Sequence, residues 1–203
     1  MVAAPRKHDT DLILDAARSL VLEEGPRAAS VAAIAAESGA PVGTLYHRFG
    51  SRDALLAAAW LRALQRFQER SLGAARGPGD AVEAGVGMAR AAIAFAADLP
   101  EDAQLLLSLR RDDLLDASPG EGFRIRLGEI NAPLEDEIRR LARALTGGDG
   151  RRGLDAVMRA IVDLPYAAIR RHGRDGSLPA WLGDDVEAAA RTLLRALDRR
   201  GHG

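Results

Sequence analysis

The stretch SVAAIAAESGAPVGTLYHRFGSRDALLAAAW, residues 30–60, decides the fold of this chain. Ser30 is a favoured N-cap residue, and it precedes a short apolar helix, Val31 to Ser38, that a glycine ends. The turn Gly39-Ala40-Pro41 then leads into another helix of about two turns. Ser51 caps the longer helix that follows. Two short helices joined by a tight turn predict a helix-turn-helix unit.

An amphipathic helix precedes this pair. In DLILDAARSLVLEEG, residues 11–25, apolar pairs recur every four residues, and Gly25 stands where a C-terminal cap belongs. The pairs that predict one buried face are Leu12/Ile13, Ala16/Ala17 and Leu20/Val21. In such a three-helix unit, the second helix of the pair enters the DNA major groove and the first helix braces it.

The rest of the chain also has helical periodicity, without an alternating β-type run of useful length. The segment GAARGPGD, residues 73–80, is the clearest break in composition. Further helices are predicted near residues 81–98, 101–116, 121–146, 151–173 and 184–200, with kinks at Pro133 and Pro165. We therefore expect an all-α protein, with a helix-turn-helix domain at residues 1–51 joined to a larger helical domain at residues 52–203.

Composition narrows the classes of function. The chain has 203 residues, 47% of them apolar, a formal charge of −1 and no cysteine, which excludes disulfides and thiolate chemistry. The start lacks a signal peptide, and no apolar run approaches the ~18 residues of a membrane span, so a cytoplasmic protein is expected. The histidines at 8, 47, 172 and 202 show no metal spacing, and no catalytic motif is visible. We expect no enzyme, no metal and no cofactor.

The helix at residues 42–49 carries an unusual number of hydrogen-bond donors. Leu45 and Phe49 are four residues apart and face inward, so Thr44, His47 and Arg48 project outward. Tyr46 lies at the margin. Such groups donate to phosphate oxygens, which set register without reading sequence.

Local charge supports an anionic partner for this region. Glu37 is the only acid between Glu24 and Asp53, whereas Arg27, Arg48 and Arg52 are basic. Ser51 and the main-chain N–H groups that follow it form a second potential anion-binding position, at the N-terminus of a helix. From composition alone, a solvated polar face on a packed helix is an equally good interpretation.

Residues 30–60 resemble the N-terminal domain of the TetR family of bacterial transcriptional repressors. The resemblance covers roughly residues 9–60 and depends on a helix-opening serine, a turn glycine, the Gly-Thr-Leu-Tyr run and the Ser-Arg-x-x-Leu-Leu element. These positions are Ser30, Gly39, Gly43-Thr44-Leu45-Tyr46 with Phe49, and Ser51-Arg52 with Leu55-Leu56. The resemblance implies double-stranded operator DNA as the partner of a DNA-binding transcriptional regulator.

Carried over position by position, the resemblance implies two kinds of DNA contact. Phosphate contacts fall to Ser30, Thr44, Tyr46, His47 and Arg52, and base-edge contacts fall to Ala32, Pro41, Val42 and Gly43. Family members often have Ser at the position of Pro41 and Lys or Arg at that of Val42. Val42 could contact a thymine methyl or could extend the inward face of its helix. Specificity then rests more on Arg48, on backbone approach at Gly43 and on DNA shape.

The resemblance also implies a homodimer built from the last two long helices and a small-molecule effector bound among the central helices. Both C-terminal helices are amphipathic, and Ala188-Ala189-Ala190 permits close helix approach, although these faces could instead complete the monomer core. Apolar candidates for effector contact are Trp60, Phe67, Met88, Phe95, Leu106, Phe123 and Leu127, all of which could equally be core. Arg110 or Asp113 could enter the cavity, although a solvated charge run is the better interpretation, and Arg6-Lys7-His8 could form a minor-groove arm, although a disordered solubilising tail is the better interpretation.

Two other classes of function compete with a ligand-released repressor. A helical hydrolase would need His172 and a carboxylate in the cavity, but no nucleophile elbow or paired carboxylate supports it. A ligand- or partner-binding protein with a vestigial DNA domain is the other class, against which the intact Thr44, Tyr46 and Arg52 argue. Phosphate contacts predict a steep fall of DNA affinity with salt, whereas a vestigial domain predicts a flat response.

Overall fold

A computed structural model describes residues 9–109, 114, 121–148, 150–173 and 177–201. Helices dominate this part of the chain, and no strand occurs in it, which confirms the predicted all-α class. The helices are α1 (Thr10–Glu24), α2 (Val31–Ser38), α3 (Val42–Phe49), α4 (Arg52–Ala75), α5 (Ala81–Asp98), α6 (Pro100–Ser108), α7 (Glu121–Thr146), α8 (Arg151–Met158), α9 (Leu164–His172) and α10 (Leu182–Gly201). The proposed basic arm at residues 6–8, the pair Arg110 and Asp113, and His202 lie outside the described residues.

The chain divides into two compact units. Among the described residues, the first unit contains those up to Ala63 and those between Leu105 and Arg126, and the second contains Leu64–Gln104 and the residues from Leu127 onward. Helix α4 therefore contributes its first half to the first unit and its second half to the second. The functional boundary between residues 51 and 52 stays a prediction.

The first unit packs α1, α2 and α3 around fully buried aliphatic side chains, which include Ile13, Ile34 and Leu45. Local caps delimit these helices as predicted: the Gly25 N–H donates to the Val21 carbonyl at 3.1 Å, and the Ser30 hydroxyl accepts from the Ala33 N–H at 3.1 Å. Gly39 ends α2 in the left-handed region, at φ +67°. A side chain at this position would be strained, which explains the turn glycine.

The predicted buried face of α1 is wrong at one position. Leu12 is 59% exposed, whereas Leu14 is buried. At about 100° per residue, Leu12 lies ~140° from the centre of the face that Ile13, Ala17 and Val21 define. Leu14 lies closer to that centre, so it packs instead.

Helix α6 ends at Ser108, so the predicted helix at residues 101–116 is interrupted at Leu109; of residues 110–116 the structure describes only Leu114, which is helical. The main-chain carbonyl of the next residue, Leu109, accepts a hydrogen bond from the indole Nε1–H of Trp60 at 3.0 Å. That carbonyl is therefore satisfied by a side chain distant in sequence.

The second unit has its main core between α5, α7, the helices that follow residue 150, and α10. Met88, Leu141, Leu145, Val157 and Leu194 are fully buried in one cluster. Helix α7 continues through the exposed Pro133.

The predicted irregularity near Pro165 takes the form of a π-helical segment, Arg159–Asp163, between α8 and α9. Pro165 has no N–H to donate to the carbonyl of Ile161, four residues earlier and inside this segment. A single wide turn before a proline therefore lets the helix run on with a local change of pitch.

Candidate nucleic-acid interface

Helix α3 has the inward and outward faces that its sequence predicts. Pro41 precedes it in extended backbone, and the Gly50 N–H closes it by donating to the Tyr46 carbonyl at 2.8 Å. Leu45 is only 1% exposed and Phe49 is half-buried, so this pair anchors the helix on the first unit. The opposite face is left free for a partner.

The residues predicted to contact DNA lie on that free face. Tyr46, His47, Arg48 and Gly43 are exposed, and Thr44 is half-buried. Val42 is 42% exposed, so the alternative in which it extends the inward face is wrong. Its contact with a base stays a prediction.

The residues predicted on and just before α2 and α3 are also accessible. Ser30, Ala32 and Pro41 are all exposed. The Ser30 hydroxyl accepts from the Ala33 N–H in capping α2 and keeps its own proton, so it can cap the helix and donate to a phosphate at once. At the start of α4 the Ser51 hydroxyl accepts from the Ala54 N–H at 3.1 Å.

Arg52 is held by the protein itself. Its Nε–H donates to the Ala29 carbonyl at 2.9 Å, one Nη donates to the Pro26 carbonyl, and the other pairs with Asp53 at 2.8 Å. This guanidinium therefore ties the first turn of α4 to the loop between α1 and α2. The side chain is 33% exposed, so part of it still reaches solvent.

Two further arginines fasten the helices of the first unit together. Arg48, on α3, donates to the Thr10 hydroxyl of α1 at 2.8 Å. Arg62, on α4, bridges Asp11 and Asp15 of α1 at 2.8 and 2.6 Å. The exposed face of α3 is thus carried on a cross-braced support, as a surface that must match a rigid duplex requires.

The residues predicted to contact an effector fall into separate groups. In the first unit, the Trp60 and Phe123 ring centroids lie 6.4 Å apart, and Leu106 is half-buried. In the second unit, Phe67 and Phe95 meet edge-on at 5.5 Å, while Met88 and Leu127 are buried. All seven lie wholly or partly inside apolar packing, and their contact with a ligand stays a prediction.

The sequence reasoning missed the buried polar groups of the second unit. Gln68, Ser71 and Asp102 are each at most 3% exposed. Asp102 pairs with Arg66 at 2.9 Å, and the Gln68 amide N–H donates to the Asn131 side-chain oxygen at 2.8 Å. Only their positions on otherwise apolar helix faces could have indicated them.

His172 ends α9, directly after Arg170 and Arg171. Its ring meets that of Trp181 edge-on, with centroids 5.3 Å apart. In the described ranges, no group of three or more acidic or histidine side chains could hold a metal ion. No helix in the same part of the chain combines the length and hydropathy of a membrane span.

Comparison with known proteins gives the family of the first unit. Residues 13–59 match the model of the bacterial regulatory proteins of the tetR family. No match was found among curated proteins.

Solved structures resemble the whole chain in fold. A protein assigned to the TetR family from Shewanella sp. PV-4 has a TM-score of 0.69 at 22% identity over 91% of this chain and 95% of its own. For a transcriptional regulator from Pseudomonas aeruginosa PAO1 the TM-score is 0.71 at 20% identity, over 98% and 96%. FadR from Bacillus subtilis, solved in complex with stearoyl-CoA, gives 0.67 at 18% identity, over 95% and 99%. Residues 13–59 therefore form a DNA-binding domain of the TetR family of bacterial regulatory proteins, and the chain shares the fold of solved regulators of this kind.

Proposed function

We propose that the chain is a homodimeric repressor that leaves its operator when a small-molecule effector binds. The observation that carries the DNA-reading part is the exposed face of α3, where Tyr46 and His47 present donors beside an exposed Val42 and Gly43, and where Arg48, which also donates to Thr10, reaches solvent. Hydroxyl, imidazole and guanidinium groups suit phosphate oxygens, and the small or apolar residues at the start of the helix suit close approach to base edges.

The proposed division of roles follows this surface. Ser30, Thr44, Tyr46 and His47 contact phosphates, and the outer edge of the Arg52 guanidinium adds another contact. Ala32, Pro41, Val42 and Gly43 approach the bases, with Arg48 beside them. In this proposal residues 1–51 form the DNA-binding domain, and residues 52–203 form the effector and dimerisation domain.

The dimer is proposed on the exposed apolar side chains of the last two helices. Tyr166 on α9 is 46% exposed and Leu193 on α10 is 42% exposed, and Ala188 on α10 is also exposed. Apolar groups at such positions gain free energy when a second copy removes them from water. Two copies also supply the two recognition helices that a two-fold symmetric operator requires.

The effector is proposed to bind within residues 52–203, among the apolar and aromatic candidate contacts. The fold is similar to that of FadR, which was solved with stearoyl-CoA, and the candidate contacts of this chain are likewise apolar and aromatic. A ligand releases DNA only if it binds the DNA-free conformation more tightly than the DNA-bound one. Operator affinity must therefore fall by the ratio of those two affinities when the effector is added.

The experiment that tests the DNA-reading part is selection of bound duplexes from random DNA. The wild type should enrich a two-fold symmetric motif, and Tyr46→Ala/His47→Ala should enrich none, because both side chains are exposed and their loss leaves the core intact. Arg139→Ala, an exposed arginine of α7, serves as the matched control and should enrich the same motif as the wild type.

Salt dependence on the selected duplex separates this function from that of a ligand-binding protein with a vestigial DNA domain. Each phosphate contact adds about −0.9 to the slope of log affinity against log salt concentration. A slope near zero, or an enriched motif that survives the double substitution, would contradict the proposed interface.

A further inference from the structure

Gln68 carries a buried hydrogen-bond acceptor without a donor. Its side chain, on α4, is 3% exposed, and Oε1 has no hydrogen-bond partner among the described residues. The other end of the same amide is fixed, because Nε2 donates to the Asn131 Oδ1 on α7 at 2.8 Å. A buried acceptor left in this state costs more than an apolar side chain of the same shape, so a donor from outside the chain is the natural partner.

The position of Gln68 makes the unsatisfied oxygen unusual. Leu64, Gln68 and Ser71 follow one another on a single face of α4 at intervals of four and three residues. Such a face normally carries apolar side chains where it packs. Here Ser71 is also buried, so two consecutive turns of the helix present polar groups to the interior.

Apolar side chains occupy neighbouring positions on the two helices that carry the amide pair. Phe67, the neighbour of Gln68 on α4, packs edge-on against Phe95 at 5.5 Å. Leu127, one helical turn before Asn131 on α7, is buried. The amide pair therefore lies on the same two helices as Phe67 and Leu127, which we propose for effector contact, and within the second unit.

Charge near this position argues against an anionic group on the ligand. The free atom is a carbonyl oxygen, which repels the lone pairs of a carboxylate or a phosphate. Both cations on the adjacent turns of α4 have carboxylate partners: Arg66 pairs with the buried Asp102 at 2.9 Å, and Arg70 pairs with Asp98 at 2.8 Å. An anion would have to displace one of these carboxylates.

We propose that Gln68 Oε1 accepts a hydrogen bond from a neutral effector that combines an apolar body with a hydroxyl or amide N–H group. Asn131 is the positioning residue, since its hold on Nε2 keeps the amide oxygen turned toward the ligand. This inference rests on the proposed function, of which it specifies the effector class.

The test compares two neutral probes of equal size on the full-length protein by titration calorimetry. The probe 1-octanol carries a donor, and 2-octanone has only an acceptor. The wild type should bind the alcohol about tenfold more tightly than the ketone, the usual effect of one buried hydrogen bond. Gln68→Leu should bring the ratio of the two affinities to about one.

Two further variants keep the result interpretable. Gln65→Leu, which removes an amide hydrogen-bonded to Glu69 at 2.9 Å on the same helix, should leave the ratio as in the wild type. If Gln68→Leu alone misfolds because Asn131 loses its partner, Gln68→Leu/Asn131→Leu removes both polar groups together and should fold. Circular dichroism verifies the fold of each variant.

Three outcomes would overturn the inference: equal affinity of the wild type for the two probes, a preference for the ketone, or no binding of the alcohol. A crystal structure with only a water molecule on Oε1 in the presence of the alcohol would overturn it as well.

A separate measurement distinguishes failure of the proposed repressor function from failure of the proposed ligand site. If the alcohol binds in a Gln68-dependent way but does not lower affinity for the selected duplex, the ligand site stands and the release mechanism is wrong.

Discussion

Replacing Arg62 with alanine should destabilise the first unit more than the loss of an ordinary surface arginine. One Nη of Arg62 donates to the Asp11 carboxylate at 2.8 Å and to the Asp11 carbonyl at 3.1 Å, and the other donates to Asp15 at 2.6 Å. The arginine side chain is only 13% exposed, whereas those of Asp11 and Asp15 are 63% and 43% exposed. Helix α4 is thereby fixed to α1 at two successive turns.

The expected loss of stability can be worked out from the exposure of these three side chains. Removal of one partner of a fully buried ion pair costs about 3–5 kcal/mol, whereas an exposed pair contributes about 0.2–1 kcal/mol. In this cluster the cation is buried but both carboxylates keep water, and Asp15 also retains Arg18 at 3.3 Å. We therefore expect Arg62→Ala to lower the free energy of unfolding by about 2 kcal/mol, part of it through lost packing of the alkyl stem.

Tryptophan fluorescence can report this loss within the first unit. The chain has two tryptophans, of which Trp60 is 7% exposed in the first unit and Trp181 is 52% exposed in the second. In a Trp181→Phe background, urea unfolding followed by Trp60 emission should give a lower midpoint for Arg62→Ala with an unchanged slope.

The matched control is Arg27→Ala, which removes the same charge from an exposed position of the same unit and should stay within about 0.5 kcal/mol of the parent. Arg62→Lys keeps the charge but loses the fork that reaches both carboxylates, so its stability should lie between the two. If Arg62→Ala costs no more than Arg27→Ala, burial of the guanidinium does not strengthen these contacts and the reasoning is refuted.

Three other predictions test single features. An alanine Cβ at Gly43 meets nothing within 4 Å, so Gly43→Ala should raise the free energy of unfolding by about 0.5–1 kcal/mol. Its affinity for the operator, measured by fluorescence anisotropy, should fall about tenfold, because the methyl group blocks approach to the bases. At Gly85 an added Cβ would stand 2.7 Å from the side chain of Leu194, which is fully buried on α10. Gly85→Ala should therefore lower the free energy of unfolding by about 1 kcal/mol in urea titrations, because the cost of overpacking exceeds the gain in helix propensity. Hydrogen bonds from Arg90 and Arg191 lower the pKa of Glu187 from its ordinary value of 4.5, so this carboxylate stabilises the folded state above that pH and the stabilisation is lost as pH falls through the lowered pKa. Glu187→Gln should make unfolding midpoints less dependent on pH between about pH 6 and about pH 3, and an unchanged dependence would contradict the assigned contacts.

The sequence predicted best what is decided within a few residues. The caps at Gly25, Ser30, Gly39 and Ser51 depend on hydrogen bonds or dihedral angles of adjacent turns, and the structure has each of them. The inward placement of Leu45 follows from helical spacing in the same way. Helix caps and buried helix faces depend on the types and order of neighbouring residues, so capping preferences and periodicity suffice to predict them.

The failures come from contacts between residues far apart in the chain. Helix α6 ends where Trp60, 49 residues before Leu109, donates to its carbonyl. Gln68 reaches Asn131 across 63 residues of sequence. Periodicity assigns a residue to a face but does not name the side chain on the facing helix, so neither the end of α6 nor the buried amide pair could be predicted.

Arg52 shows how a family resemblance and a structure can give one residue two tasks. The resemblance assigns it to a phosphate, whereas its three nitrogens each donate within the protein, to the Ala29 and Pro26 carbonyls and to Asp53. A guanidinium has five N–H groups, so these three bonds leave two for a phosphate, and the 33% exposure of the side chain allows such a contact. Loss of DNA affinity in an Arg52 variant therefore indicates a phosphate contact only if the free energy of unfolding is unchanged. Tyr46 and His47, which are exposed on α3, are the cleaner test of the interface.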